Sequence, residues 1–278
     1  MRLGVRWTIG DVSPRGFEAL RLSLHGAVRS FGGEAAFVVY VNSLPVEEAR
    51  ARTGPAPGPV AWRAAPTDVP AVLRGRLGPA MAEGVAWKFA PLRAFEDRYE
   101  IALDNDVILW DVPPAMRRWL DEGGQAPLIA EDVAPAHGAF ARLCGPAPRN
   151  TGIRGLPPGF DLAAALARVL QAHPAGLESE LDEQGLQVAA LSLDAAPMVV
   201  RTDEVTICSP FHPHQPHLGR CGAHFVGLNA REIPWRYYDR PATEVRIEHW
   251  ERHRPELYAR VGLPLAAACG GAVHAATD

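Results

Sequence analysis

Residues 35–41, Ala-Ala-Phe-Val-Val-Tyr-Val, leave the chain few options. An unbroken apolar run rich in β-branched and aromatic residues has no polar face to turn to water, so as a strand it must be covered on both sides. The residues before it supply a cover. Residues 2–9 alternate through Leu3, Val5, Trp7 and Ile9 and stop at Gly10-Asp11, as a strand entering a loop does. From Phe17 the apolar positions change to helical spacing (Leu20, Leu24, Ala27, Val28, Phe31) and Gly32-Gly33 closes the run. This β-α-β order predicts an α/β protein with a mainly parallel central sheet and flanking helices. Ligands of such sheets lie outside the carboxyl ends of the strands.

Further along, Pro45, Pro55, Pro57, Pro59, Pro66 and Pro70 mark a loop with one short strand at 60–62 and no domain boundary. Residues 86–95 read as a helix, and 99–103 and 107–110 as strands on either side of Asp104-Asn105-Asp106. Another strand, 128–130, runs into Glu131-Asp132, and a Pro/Gly-rich segment surrounds Asn150-Thr151-Gly152. A helix is expected over 162–172, capped by Asp161. Short strands at 198–200, 205–208 and 223–226 alternate with a loop carrying His212, His214 and His217, and a charged helix spans 249–261.

Composition excludes several classes. Among 278 residues, 47% are apolar and 22% charged, the balance of a globular chain. Net charge is −4, with no block of five like charges, so neither a nucleic-acid groove nor a polybasic membrane patch is expected. The cations are Arg throughout except for Lys88. Four cysteines (Cys144, Cys208, Cys221, Cys269) form no CxxC pair and are read as reduced thiols. No basic head precedes an apolar leader and no apolar run is long enough to span a bilayer, so a soluble cytoplasmic protein is expected.

The chemistry centres on Ile-Ala-Leu-Asp-Asn-Asp-Val-Ile-Leu-Trp, residues 101–110. Two carboxylates flanking one residue at the end of a buried strand repel each other unless a cation sits between them. Their hard oxygens suit Mg²⁺ or Mn²⁺, ions that share their remaining positions with phosphate oxygens and water. The same residues fit a haloacid-dehalogenase-type phosphatase, with Asp104 as nucleophile and Asp106 as acid/base. That fold opens with this strand, whereas here about a hundred residues of β-α-β come first. The dense Cys208, His212, His214, His217, Cys221, His224 stretch matches no standard zinc finger, and is read as a flexible loop near an acceptor.

With the acid pair placed after a nucleotide-sized β-α-β half, the chain resembles GT-A-fold glycosyltransferases of the family-8-like retaining type. Asp104-Asn105-Asp106 resembles the family's DxD, Asn150-Thr151-Gly152 its Asn-x-Gly loop, Glu183-Gln184 its Asp-Gln pair and His224-Phe225-Val226-Gly227 its His-x-x-Gly. Trp87-Lys88-Phe89-Ala90-Pro91-Leu92 resembles the lead-in to the DxD. Arg231 and Pro234-Trp235 stand later than in the family, as if residues were inserted.

The resemblance implies one GT-A-type domain: a nucleotide-binding half over 1–110, a donor-sugar and acceptor half over 111–264, and a flexible tail over 265–278. It implies Mn²⁺ or Mg²⁺ held by Asp104, Asp106 and His224, and a UDP-sugar foremost as donor to an unknown acceptor. Thr8, Asp11, Lys88, Asp104 and Asn105 would bind the nucleotide. Glu131, Asp132, Asn150 and Gly152 would hold the donor sugar, Gly227 and Arg231 the phosphates, with Glu183 or Gln184 beneath the anomeric carbon. A non-catalytic nucleotide-sugar binder of the same fold is a further alternative.

Overall fold

The computed structural model describes residues 3–78 and 86–265. The first half runs β1 (Leu3–Ile9), α1 (Pro14–Phe31), β2 (Ala35–Val41), α2 (Val46–Thr53), β3 (Val60–Ala64), β4 (Tyr99–Leu103) and β5 (Val107–Leu109). It continues through α3 (Pro114–Asp121), β6 (Leu128–Glu131), α4 (Ala141–Cys144), β7 (Arg149–Leu156), α5 (Leu162–Ala172) and α6 (Glu180–Leu191). The chain ends with β8 (Met198–Val200), β9 (Val205–Ile207), β10 (Gly222–His224), β11 (Arg236–Tyr237), β12 (Arg240–Pro241) and α7 (Ala242–Val261).

Seven strands form the central sheet in the order β3-β2-β1-β4-β7-β6-β8. The neighbours from β3 through β4 are parallel, β7 is antiparallel to both β4 and β6, and β8 returns parallel to β6. The expected mainly parallel sheet with flanking helices is thus the observed one. A second sheet, β5-β10-β9, stands beside the end of β4.

Local chemistry accounts for the first unit. Ser13 caps α1 by accepting the Gly16 amide at 3.1 Å, Pro14 occupies the first turn, and Gly32 leaves the helix at φ 70°. Phe17, Leu20, Leu24 and Ala27 join Val5, Trp7, Val39 and Ile101 in the main core. The other face of α1, through Ala19 and Leu22, packs with Trp250, Leu257 and Tyr258 of α7. Glu18 fastens this contact, accepting from Arg254 Nε at 2.7 Å, Tyr258 OH at 2.6 Å and Trp250 Nε1 at 3.2 Å.

Two expectations are corrected. Residues 86–95 do not form a helix: only one 3₁₀ turn, Ala86–Phe89, is present. Pro91 has no amide to donate, and the Lys88 and Pro91 carbonyls accept instead from the Arg6 guanidinium. Asn150-Thr151-Gly152 is not a loop but the start of β7, in the interior of the sheet. Helices α2, α3, α4 and α6 carry no expectation from the sequence. Cys144, Cys208 and Cys221 are free thiols as read. Cys269 and residues 266–278 of the expected tail lie outside the described residues.

Candidate functional site

The acid pair lies at the carboxyl end of β4, whose last residue, Leu103, stands opposite Trp7 of β1. A tight turn follows, closed by the Val107 amide on the Asp104 carbonyl at 3.0 Å, and β5 departs antiparallel to β10. That register sets His224 opposite Val107, while the Phe225 amide donates to the Asp106 carbonyl at 2.9 Å. An imidazole more than a hundred residues away is thereby brought onto the pair. His224 Nε2 is 3.3 Å from Asp106 Oδ1 and 3.9 Å from Asp104 Oδ2, and ligand atoms of all three lie within 4.8 Å of one another.

The donor set fits a hard divalent cation: two carboxylates and one imidazole, with Asp106 Oδ1 buried and lacking any aligned hydrogen-bond donor. Burial opposes a charge on His224, but Asp106 and Asp104 outweigh it and raise the imidazole above its ordinary value.

Lys88 closes the other side. Its Nζ donates to Asp104 Oδ2 at 2.8 Å and lies 3.8 Å from Glu183 Oε2. Burial would strip its charge; Asp104, Glu183 and Asp106 overcome that and hold the ammonium above its usual value. Glu183 moves the opposite way from most paired carboxylates, because burial raises it against the pull of Lys88.

In Asp182-Glu183-Gln184 each residue does something different. Asp182 caps α6, accepting from the Ala139, Glu178 and Ser179 amides at 2.7, 2.9 and 3.0 Å. Glu183 turns toward Lys88 and Gln187. Gln184 bridges two segments, accepting from the Thr151 amide at 3.3 Å and donating to the Ala136 carbonyl at 2.8 Å.

Asn150 Nδ2 donates to Asp132 Oδ2 at 3.0 Å and its Oδ1 accepts the Gly152 amide at 2.8 Å. The Gly152 carbonyl accepts the Asp104 amide at 2.8 Å. A β-carbon on Gly152 would lie 2.4 Å from His224 Cε1, so only glycine lets the imidazole approach. The remaining expected residues make other contacts. Glu131 accepts from Thr202 N and Oγ1 at 2.9 and 3.2 Å. Asn105 exchanges amide hydrogen bonds with Asn229 and donates to the Gly16 carbonyl. Asp11 pairs with Arg52 and Arg231, both at 2.6 Å. Gly227, at φ 78°, offers its carbonyl to Arg246. Thr8 lines a small cavity with Arg6, Lys88, Asp104 and Arg154.

Sequence reading missed a buried row beneath the site. Arg6 and Arg154 flank Ala102 across β1, β4 and β7, and Arg6 Nε lies 3.4 Å from Glu100 Oε1. Arg154 donates to Gln187, which in turn donates to Glu183. Burial and neighbouring Arg6 push Arg154 down to about 9, so it stays charged at neutral pH. The available signal was period two: Glu100, Ala102 and Asp104 share a strand face, and Arg6 is a charge inside an apolar strand.

No family model matches the sequence, and no curated protein matches it. Solved structures do match. The galactosyltransferase LgtC, in complex with donor and acceptor sugar analogs, aligns over 95% of this chain and 98% of its own at 11% identity and TM-score 0.50. Mouse xyloside xylosyltransferase 1, in its apo form, aligns over 84% of this chain and 100% of its own at 13% identity and TM-score 0.55. At these identities the likeness concerns the fold, which is of the GT-A type.

Proposed function

We propose that the chain is a metal-dependent glycosyltransferase that moves a sugar from a nucleoside-diphosphate sugar, a UDP-sugar foremost, to an acceptor with retention at the anomeric carbon. The observation that carries this reading is the convergence of Asp104, Asp106 and His224 at a strand carboxyl end, with the buried Asp106 Oδ1 facing the imidazole without an aligned hydrogen bond. The two solved structures named above are both glycosyltransferases of this fold, which supports the same reading.

Asp104, Asp106 and His224 would hold Mn²⁺ or Mg²⁺, which supplies Lewis-acid neutralisation of the departing diphosphate. Lys88, charged and already fixed on Asp104, adds a second cation at that end without moving. As the glycosidic bond opens, the sugar gains oxocarbenium character and is stabilised by an oxygen beneath it. Gln184, pinned between Thr151 and Ala136, presents a fixed amide; Glu183 acts behind it by holding Lys88 and Gln187. Asp132 and Asn150 orient the donor's hydroxyls, Thr8 and Asp11 face the nucleoside, and Gly227 and Arg231 lie on the phosphate side. Residues 1–110 form the nucleotide half in this reading.

The test is thermal stabilisation of the full chain by nucleotides and nucleotide sugars with and without Mn²⁺. A ligand bound only to the native state raises the melting temperature, by about 2.7 kcal/mol of stability at a hundredfold excess over Kd. UDP and Mn²⁺ together are expected to shift the melt by more than either does alone; no shift with any nucleoside diphosphate overturns the reading. Transfer abolished in Gln184→Ala with UDP binding retained separates an enzyme from a non-catalytic binder. An aspartyl phosphate trapped on Asp104 would mark a phosphatase.

A further inference from the structure

A second group of metal-ligand atoms lies behind His224. Cys208 follows β9, and its amide donates to the His224 carbonyl at 2.7 Å. Its side chain meets α7: Cys208 Sγ is 3.4 Å from His249 Nε2, and one atom each from Cys208, His249 and His253 lies within 4.8 Å of the others. His249 and His253 are four apart, one turn along the same helix face, with ring centroids 4.7 Å apart at 76°.

Three features favour an ion over a plain hydrogen-bonded cluster. Cys208 and His249 are buried, and Phe225 walls the group, its ring centroid 6.1 Å from each histidine. His253 Nε2 sits 2.9 Å from the Pro216 carbonyl; since a carbonyl only accepts, that nitrogen carries the proton and Nδ1 keeps its lone pair. His249 Nε2 faces Cys208 Sγ at 3.4 Å, so these two buried donor atoms can share one ion.

We propose that Cys208, His249 and His253 form a second metal site, selective for Zn²⁺, that ties the loop after β9 to helix α7. One thiolate and two imidazoles are soft and borderline donors suited to zinc, whereas the oxygen-rich Asp104–Asp106–His224 group suits Mg²⁺ or Mn²⁺. Three protein ligands leave the fourth tetrahedral position to water, reached past the partly exposed His253. Zinc is held by the thiolate form of cysteine, so ligation by Cys208 releases its proton.

Co²⁺ titration of the reduced, chelator-stripped full chain tests this, because only thiolate ligation produces a sulfur-to-cobalt charge-transfer band in the near ultraviolet. The expected band saturates at one ion per chain, is displaced by Zn²⁺, survives in Asp106→Asn and is absent in Cys208→Ser. His253→Ala, at a partly exposed position, is expected to bind at least about tenfold more weakly. Zn²⁺ should also raise the melting temperature of Asp106→Asn. No band in the unsubstituted chain, a band persisting in Cys208→Ser, or no Zn²⁺ shift in Asp106→Asn overturns the proposal.

Discussion

The two ends of the proposed site are built from similar residues under opposite conditions. At the loop after β1, Asp11 holds Arg52 and Arg231 in an open ion triad, with 44% of its side chain exposed. At the carboxyl end of β4, Asp106 is 4% exposed, and partly buried Lys88 and Asp104 lead inward to the buried charges Glu183, Arg154, Arg6 and Glu100. Exposed pairs are screened by water and contribute little. Buried charges must be paired, and removing one partner strands the other. The buried end is thus fixed in geometry before any ligand arrives, while the open end is free to exchange partners with one.

The largest test of that contrast is Asp106→Asn. Loss of one carboxylate from the proposed cation site should lower transfer by roughly 10³-fold, on the scale of removing one charge-stabilising group. Initial rates at saturating donor and Mn²⁺ measure it. Next, Glu100→Gln leaves the buried Arg6 unpaired and should cost about 3–5 kcal/mol in urea denaturation, although Glu100 touches no proposed ligand. Asp11→Asn, run beside it, should leave the unfolding midpoint unchanged; equal losses in the two variants would erase the distinction between the ends.

Gly152→Ala forces a methyl against a buried imidazole and a buried amide. It should cost about 1–3 kcal/mol and weaken Mn²⁺ binding, read from calorimetry on the same preparation. The smallest effect is the pH response of His224. Its folded value is raised, so the metal-free protein gains stability that is fully present below 6.5 and is lost as pH climbs through the folded value. Metal binding needs the neutral ring and runs the other way, strengthening about tenfold per pH unit across that window. A His224→Gln variant should flatten both profiles, and unchanged profiles would detach His224 from the acid pair.

Much of this was legible in one dimension. The bounds of β2 and β4, the Gly32 stop of α1 and the Asp161 cap of α5 follow from periodicity and end-capping residues. The acid pair was conspicuous because carboxylates interrupt an apolar stretch. Residues 86–95 misled because their apolar spacing is helical while their carbonyls serve Arg6, a partner 82 positions from Lys88. Asn150-Thr151-Gly152 looked like a loop because Asn and Gly favour turns. Here they line a strand whose amide and carbonyl groups are needed at the site.

Sequence alone determined the β-α-β start and the place of Asp104 and Asp106 at a strand end, since side-chain periodicity and local capping act within a few residues. Tertiary structure alone decided which distant groups meet there. His224 arrives by the antiparallel register of β5 and β10, Lys88 by Arg6 pinning its backbone, and His249 by the packing of α7 on α1. Burial then set the charge each of them carries, because the cost of a charge depends on what surrounds it in space and not on its neighbours along the chain.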